Sequence, residues 1–262
     1  MALRTLTFNL RVDRGNRDSH PWPTRRSGVK QIIRRYDAHV VGVQEGLPGM
    51  LADLDEGLDE YGWFGAPRDG NNGEHCAIFV RTADVAVDSH DTFWLSETPT
   101  VPGSQSWDAA MPRVVTWGHL SGADWPRPLF VFNTHFDHEG ERARRRSAAL
   151  LLNRVEEIAG ADPSVVLGDL NAVPGSAPYE ILTDRTRKFP LRDAFTESRS
   201  PHRGPVTTFH DFDVDFSHGM RIDYIFVRGS LVVRRHTTLT DRSDDRFPSD
   251  HFPVFAEIAF TD

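Results

Sequence analysis

Cysteine is almost missing from this 262-residue chain: Cys76 is the only one. Intramolecular disulfides and cysteine-based zinc sites are therefore excluded. Lysine is nearly as scarce, at positions 30 and 188 alone, so the positive charge is carried by arginine. There is no excess of that charge. The net charge of −8 argues against the broad basic footprint that tracks a nucleic-acid backbone, although a local basic cleft stays open. No run approaches the roughly 18 apolar residues of a membrane helix. The start, Met1-Ala2-Leu3-Arg4-Thr5-Leu6-Thr7-Phe8-Asn9, reads as a strand without an apolar export segment. A cytoplasmic protein with no membrane insertion is the expectation, and no obligate protein partner is evident.

What is present is ordinary for a globular protein: 39% apolar and 26% charged residues, without repeats or low-complexity tracts. The patterning predicts strands over 3–11, 39–44, 61–66, 75–81, 84–93, 113–120, 128–134, 164–167, 221–228, 231–239 and 253–260. Helical spacing appears over 24–36, 47–58 and 139–160, the last with Ala148, Leu151, Leu152, Val155 and Ile158 on one stripe. Strands such as Phe130-Val131-Phe132 are apolar on both faces and need cover on two sides. Stacked sheets flanked by helices, in one α/β domain over 1–262, satisfy that need. The segments 94–112 and 184–220 read as long loops.

Acidic, amide and imidazole side chains recur at strand ends. Glu45 follows 39–44, His135 and Asp137 follow 129–134, and Asp169 and Asn171 follow 164–168. Asp223 lies in Arg221-Ile222-Asp223-Tyr224, Asp250-His251 precedes the last strand, and Asn9 sits late in the first. Polar groups at strand ends gather at one rim of a sheet, where ligands bind. Hydrolysis of a phosphate ester uses such a set. A hard cation such as Mg²⁺ takes carboxylate oxygens and polarises a phosphoryl oxygen. A carboxylate aligns the attacking water, while an amide or imidazole donates to non-bridging oxygens. Asp169 and Asn171, two apart in an extended segment, project to the same side. His251 offers a donor, and Asp223 is placed to fix its tautomer.

Five segments, in order along the chain, resemble the motifs of the endonuclease/exonuclease/phosphatase superfamily. They are Thr7-Phe8-Asn9, Gln44-Glu45, Asn133-Thr134-His135-Phe136-Asp137-His138, Gly168-Asp169-Leu170-Asn171 with Arg221-Ile222-Asp223-Tyr224, and Ser249-Asp250-His251-Phe252-Pro253-Val254. The resemblance implies a DNase I-like fold, an α-β-β-α sandwich of two stacked mixed sheets. It implies Mg²⁺ or Mn²⁺ held by Glu45, with Asn9 close by and Asp250 assisting. It implies His135 as transition-state stabiliser and Asp169 as the group that orients or deprotonates water, helped by Asn171. It pairs Asp223 with His251, which contacts the phosphate. Gly73-Glu74-His75-Cys76-Ala77-Ile78-Phe79 and Phe93-Trp94-Leu95-Ser96-Glu97-Thr98-Pro99 look like a bacterial and archaeal subgroup similar to deadenylase-type members. Arg11 stands where some AP endonucleases carry a further acidic ligand.

Arg113, at the start of an apolar strand, is a candidate phosphate clamp. Arg144 and Arg145 extend the inward stripe of their helix, either toward phosphate or, as the favoured reading, to a structural carboxylate. The leading expectation is a nuclease or phosphodiesterase acting on a nucleic-acid end or nucleotide. A phosphatase for a small phosphorylated metabolite, nucleotide or lipid headgroup stands beside it. A non-catalytic metal- or partner-binding protein on the same scaffold is the rival of another class. A two-carboxylate glycosidase leaves Asn9, Asn171 and the Asp223–His251 pair without a purpose.

Overall fold

The computed structural model describes residues 2–15, 18–216 and 218–261. One sheet is built from β1 (Leu3–Asn9), β2 (Val40–Gly46), β3 (Tyr61–Phe64), β4 (His75–Arg81), β11 (Leu231–Thr238) and β12 (Val254–Phe260), in the order β11-β12-β1-β2-β4-β3. The other contains β5 (Val85–Trp94), β6 (Val114–Gly122), β7 (Leu129–His135), β8 (Ser164–Asp169), β9 (Arg192–Asp193) and β10 (Asp223–Arg228), in the order β5-β6-β7-β8-β10-β9. The helices are α1 (Trp22–Tyr36), α2 (Pro48–Gly57), α3 (Glu141–Ala159), α4 (Ala177–Leu182) and α5 (Ala194–Glu197). None among the described residues is long and apolar enough to cross a membrane.

Three apolar layers show why both faces of the strands are hydrophobic. Leu3, Val40, Ile78, Val131, Leu167, Ile225 and Ile258 fill the space between the sheets. Leu6, Phe8, Val41, Val43 and Phe79 pack outward on Val29, Ile32 and Ile33 of α1 and on Met50, Leu51 and Leu54 of α2. Phe130, Phe132, Val166, Tyr224 and Phe226 pack outward on Ala148, Leu151, Leu152 and Val155 of α3. The result is the four-layer α-β-β-α sandwich that the family resemblance implied, with the stacked, helix-flanked sheets expected from the patterning.

Strand periodicity then positions the chemistry. On β1, Leu3 faces the inter-sheet core, so Asn9, of the same parity, points inward at the strand's end. The same parity carries His135 from Val131, Asp169 from Leu167 and Asp223 from Ile225. Across the second sheet His135 pairs with Asp169 and Asp223 pairs with Asp169, so three polar side chains stand abreast at one rim. Glu45 has the wrong parity, since Val43 faces α1 and α2. Its left-handed backbone (φ 61°) and the register shift between Val43 and Gly46 turn it out of that outer core. Conformations of this kind cost on the order of 1 kcal/mol or more in a non-glycine residue and persist where surrounding contacts hold them.

Some boundaries differ from the patterning. The first strand stops at Asn9 rather than residue 11, because Arg11 adopts a left-handed turn (φ 57°). The stretch 184–220 holds β9 and α5, and α4 lies in a segment the periodicity left unassigned. Arg145 is exposed, against the inward placement expected of it, whereas half-buried Arg144 donates to the Asp137 carbonyl at 3.0 Å. The favoured structural role thus holds for Arg144, through a backbone carbonyl rather than a carboxylate.

Candidate active site

The rim residues open into a cleft of about 340 Å³ whose lining includes Glu45, Arg113, His135, Asp169, Asn171, Asp250 and His251. Asp223 lies behind His251, and Asn9 sits beneath Glu45. Asn9 Nδ2 donates to Glu45 Oε1 at 3.1 Å and to Asp169 Oδ2 at 3.0 Å, while its Oδ1 accepts from the Arg11 backbone amide at 2.9 Å. The bond from Arg11 fixes which end of the side-chain amide faces the carboxylates. Asn9 therefore presents its NH₂ group to the cleft floor. Glu45 Oε2 also accepts from the Val12 amide at 2.6 Å.

Asp169 is buried, and the turn after it is closed by its own carboxylate, which accepts from the Asn171 amide at 2.8 Å. Gly168 makes this geometry possible. Its φ is 145°, and a Cβ there would meet the Thr134 carbonyl oxygen at 2.1 Å. Burial, followed by the neighbouring Asp223 charge, raises the Asp169 pKa above the usual carboxylate range.

The two imidazoles differ in charge. His135 is buried, and burial with the Arg113 charge holds its pKa well below the ordinary value, so the ring is neutral. Its Nε2 lies 3.0 Å from Asn171 Nδ2, which also donates to the Phe136 carbonyl at 3.0 Å. The same Nε2 lies 3.4 Å from Asp169 Oδ2, so the tautomer of His135 decides whether Asn171 or Asp169 is its partner. His251 is the opposite case. Burial opposes its charge, but Asp223, hydrogen-bonded to Nδ1 at 2.9 Å, and the nearby Asp169 and Asp250 push its pKa up to about 10. Its Nε2 faces Asp169 Oδ2 at 3.9 Å. The Thr208 hydroxyl accepts from the Ile222 and Asp223 amides at 3.0 Å each, which steadies the carboxylate behind the ring.

Arg113 is buried at the other end of the cleft, 3.7 Å from Asp137 Oδ2, with its Nη2 3.1 Å from His138 Nδ1. Arg221, a possible partner for Asp223, pairs instead with Asp193 at 2.6 Å.

Two groups of side chains are candidates for a cation. Among the described residues Asp169, Asp223 and His251 bring ligand atoms within 4.8 Å of one another. Within this trio Asp223 Oδ2 and His251 Nδ1 already bond each other at 2.9 Å, and a protonated imidazole has no lone pair to offer a cation, although Asp223 Oδ1 is buried without a partner. Glu45 and Asp250 fit better. Burial raises the Asp250 pKa, the His251 charge opposes the shift, the Glu45 charge adds to it, and Arg11 Nε at 3.3 Å offers further partial relief. Two oxygen donors that repel each other across a cleft suit a hard divalent ion.

A family model described as the Endonuclease/Exonuclease/phosphatase family matches residues 6–251. The chain belongs to this family. Its members are phosphoric ester hydrolases, and the chain is an enzyme of that class. Its structure is similar to that of an endonuclease/exonuclease/phosphatase from Bacteroides vulgatus, at 35% identity and a TM-score of 0.93, covering 100% of both chains. It is also similar to the Bacteroides thetaiotaomicron mannosyl-6-phosphatase, at 35% identity and a TM-score of 0.90, over 98% of this chain and 100% of that one. The human nocturnin catalytic domain with bound sulfate shares the fold, at 19% identity and a TM-score of 0.73, over 99% and 95% of the two chains. No curated protein sequence matches significantly.

The cleft also contains residues that motif reading passed over. Arg14, Arg68, Glu74, Met111, Phe209 and Met220 line it. Glu74 lay inside a motif noted for subgroup alone. Arg68 carries no local signal, because only the β3–β4 pairing brings it to Glu74.

Proposed function

We propose that this family member is a metal-dependent phosphomonoesterase acting on a small phosphorylated metabolite. The observation that carries this reading is the cleft itself. Arg11, Arg14, Arg68 and Arg113 line a volume of about 340 Å³ around His135, Asp169 and His251, in a chain whose net charge is −8. That volume is at the lower end for a small-molecule site, and its arginines suit the dianion of a monoester once a divalent cation offsets the carboxylates of Glu45, Glu74, Asp169, Asp211 and Asp250 in the same lining. A polymer backbone would ask for positive charge spread over the surface instead. The 35% identity to a mannosyl-6-phosphatase over nearly the whole of both chains supports the same choice between the bond types left open by sequence.

Glu45 and Asp250 would hold Mg²⁺ or Mn²⁺, with the Asn9 amide bracing Glu45 from below. Such an ion, when bound, polarises a phosphoryl oxygen and stabilises charge developing on the leaving group. The remaining chemistry belongs to the chain. Asp169, raised toward the pH at which a base is most effective, takes a proton from the attacking water. The His251 imidazolium donates from Nε2 to a non-bridging oxygen, with Asp223 holding its orientation. Arg113 binds the phosphate from the opposite end. His135 is neutral and Asn171 supports it, so the charged contacts to phosphate fall to His251 and Arg113.

A panel of p-nitrophenyl phosphate, bis-p-nitrophenyl phosphate, hexose 6-phosphates and short RNA and DNA oligonucleotides tests the proposal, with Mg²⁺ or Mn²⁺ and with EDTA. Monoesters should be turned over best, and EDTA should abolish turnover. Faster cleavage of the diester or the oligonucleotides would overturn the monoester reading.

A further inference from the structure

One end of the cleft carries polar groups that cleavage of a phosphate does not require. Arg68 follows β3 and Glu74 precedes β4, so the two meet at one edge of the first sheet, where β4 faces β6 and Arg113 across the sandwich. Arg68 Nη1 and Nη2 lie 2.8 and 2.7 Å from Glu74 Oε2 and Oε1. The side chains keep 19% and 15% of their surface accessible, all at a cleft wall rather than in the core. The Trp94 indole donates to the Arg68 carbonyl at 2.6 Å and fixes where the guanidinium stands.

Beside this pair is a niche of about 10 Å³ whose lining joins Glu45, Arg68, Glu74, Arg113 and His135 to the apolar Cys76 and Val114. It has room for roughly one water-sized group. Arg113 Nε, buried beside it, has no hydrogen-bond acceptor. Its nearest acceptor, Asp137 Oδ2, stands at 3.7 Å, beyond hydrogen-bond distance, so the donor can still take an oxygen that enters the niche.

We infer that the Arg68–Glu74 pair reads the alcohol part of the substrate, and that this alcohol bears several hydroxyl groups, as in a sugar phosphate. The inference rests on the monoesterase reading above and names its substrate class. A hydroxyl both donates and accepts. Neighbouring hydroxyls can therefore donate to the free lone pairs of Glu74 while accepting from Arg68, with one oxygen entering the niche toward Arg113 Nε. An apolar alcohol would bury the same carboxylate without compensation. A nucleobase would want an aromatic platform. The aromatic ring in the cleft lining is Phe209, which packs on His251 at the opposite end, with ring centroids 5.0 Å apart.

The test compares kcat/KM for hexose 6-phosphates, their singly deoxygenated analogues and p-nitrophenyl phosphate, with Mg²⁺ present. The ratio of hexose 6-phosphate to p-nitrophenyl phosphate should fall at least about tenfold in Glu74→Gln and in Arg68→Gln, mainly through KM. Calorimetric titration with a hexose 6-phosphate in EDTA should show the same loss of affinity relative to inorganic phosphate. Ratios within about twofold of wild type would overturn the inference. Should the variants fail to fold in a thermal melt, the wild-type protein decides. Loss of at least one hydroxyl must then cost about tenfold, and a flat deoxy series would overturn the assignment. Cleavage of bis-p-nitrophenyl phosphate without any monoester turnover would instead remove the reading on which the inference stands.

Discussion

Asp223→Asn isolates the interaction that separates the two active-site histidines. In the native protein His251 moves from 6.5 to about 10, a difference of about 3.5 units. At 1.36 kcal/mol per unit, that is on the order of 5 kcal/mol in favour of the charged ring. Burial opposes the charge, and Asp223 is the largest group favouring it, ahead of Asp169 and Asp250. Asparagine keeps the shape and can still accept from Nδ1, but it removes the charge. The alkaline limb of kcat/KM, expected near pH 10 in the native enzyme, should move down by at least about two units. With a pKa of about 8 the charged fraction, and with it the rate, should fall about twofold at pH 8 and about tenfold at pH 9, and the deficit should narrow as the pH is lowered toward 6. Stability supplies a second readout. A raised histidine pKa contributes stability fully below 6.5 and loses it as pH rises through about 10, so that part of the Tm decline should be reduced in the variant. Stopped assays with p-nitrophenyl phosphate across pH 5.5–10.5 give the profile. An alkaline limb left near pH 10 would refute the account of how His251 is charged.

Asp169→Asn should lose about 10³-fold in kcat. Because the native carboxyl is raised, its ionisation costs stability above the ordinary carboxylate range, so Tm at pH 8 should hold or rise; wild-type-like turnover would remove its role as base. Glu45→Ala should weaken Mg²⁺ at least about tenfold by calorimetry and in the metal dependence of the rate, and an unchanged requirement would place the principal ligand elsewhere. Gly168→Ala forces a Cβ against the Thr134 carbonyl and should cost about 3 kcal/mol or more in urea unfolding; a cost below about 1 kcal/mol would show that the turn relaxes.

The fold was legible wherever a physical period was long enough to count. Doubly apolar runs such as Phe130-Val131-Phe132 announced strands covered on both sides, and the apolar stripe of α3 announced its inner face. Helix α4 has six residues, β9 two and α5 four, too short for any period to register. These pieces are held by tertiary partners. Asp193 caps the Phe195 amide at 2.9 Å and receives Arg221 at 2.6 Å, and neither contact leaves a local trace. The site was legible for the same reason as the strands, since inward parity delivers Asn9, His135, Asp169 and Asp223 to one rim. Orientation was not. Nothing in the order Gln44-Glu45 says that a left-handed turn swings Glu45 out of its outer face, or that the Asn171 amide reaches the Phe136 carbonyl and the His135 ring. Charge state was hidden more deeply still. His135 and His251 each stand beside a strand end, and each has an aspartate two or fewer residues away in sequence. One is neutral because burial, with Arg113 just ahead of β6, disfavours its charge, and the other is cationic because Asp223 arrives from β10. Which imidazole carries a charge is therefore set in part by partners about 22 and 28 residues away, and only the packing of two sheets brings them near.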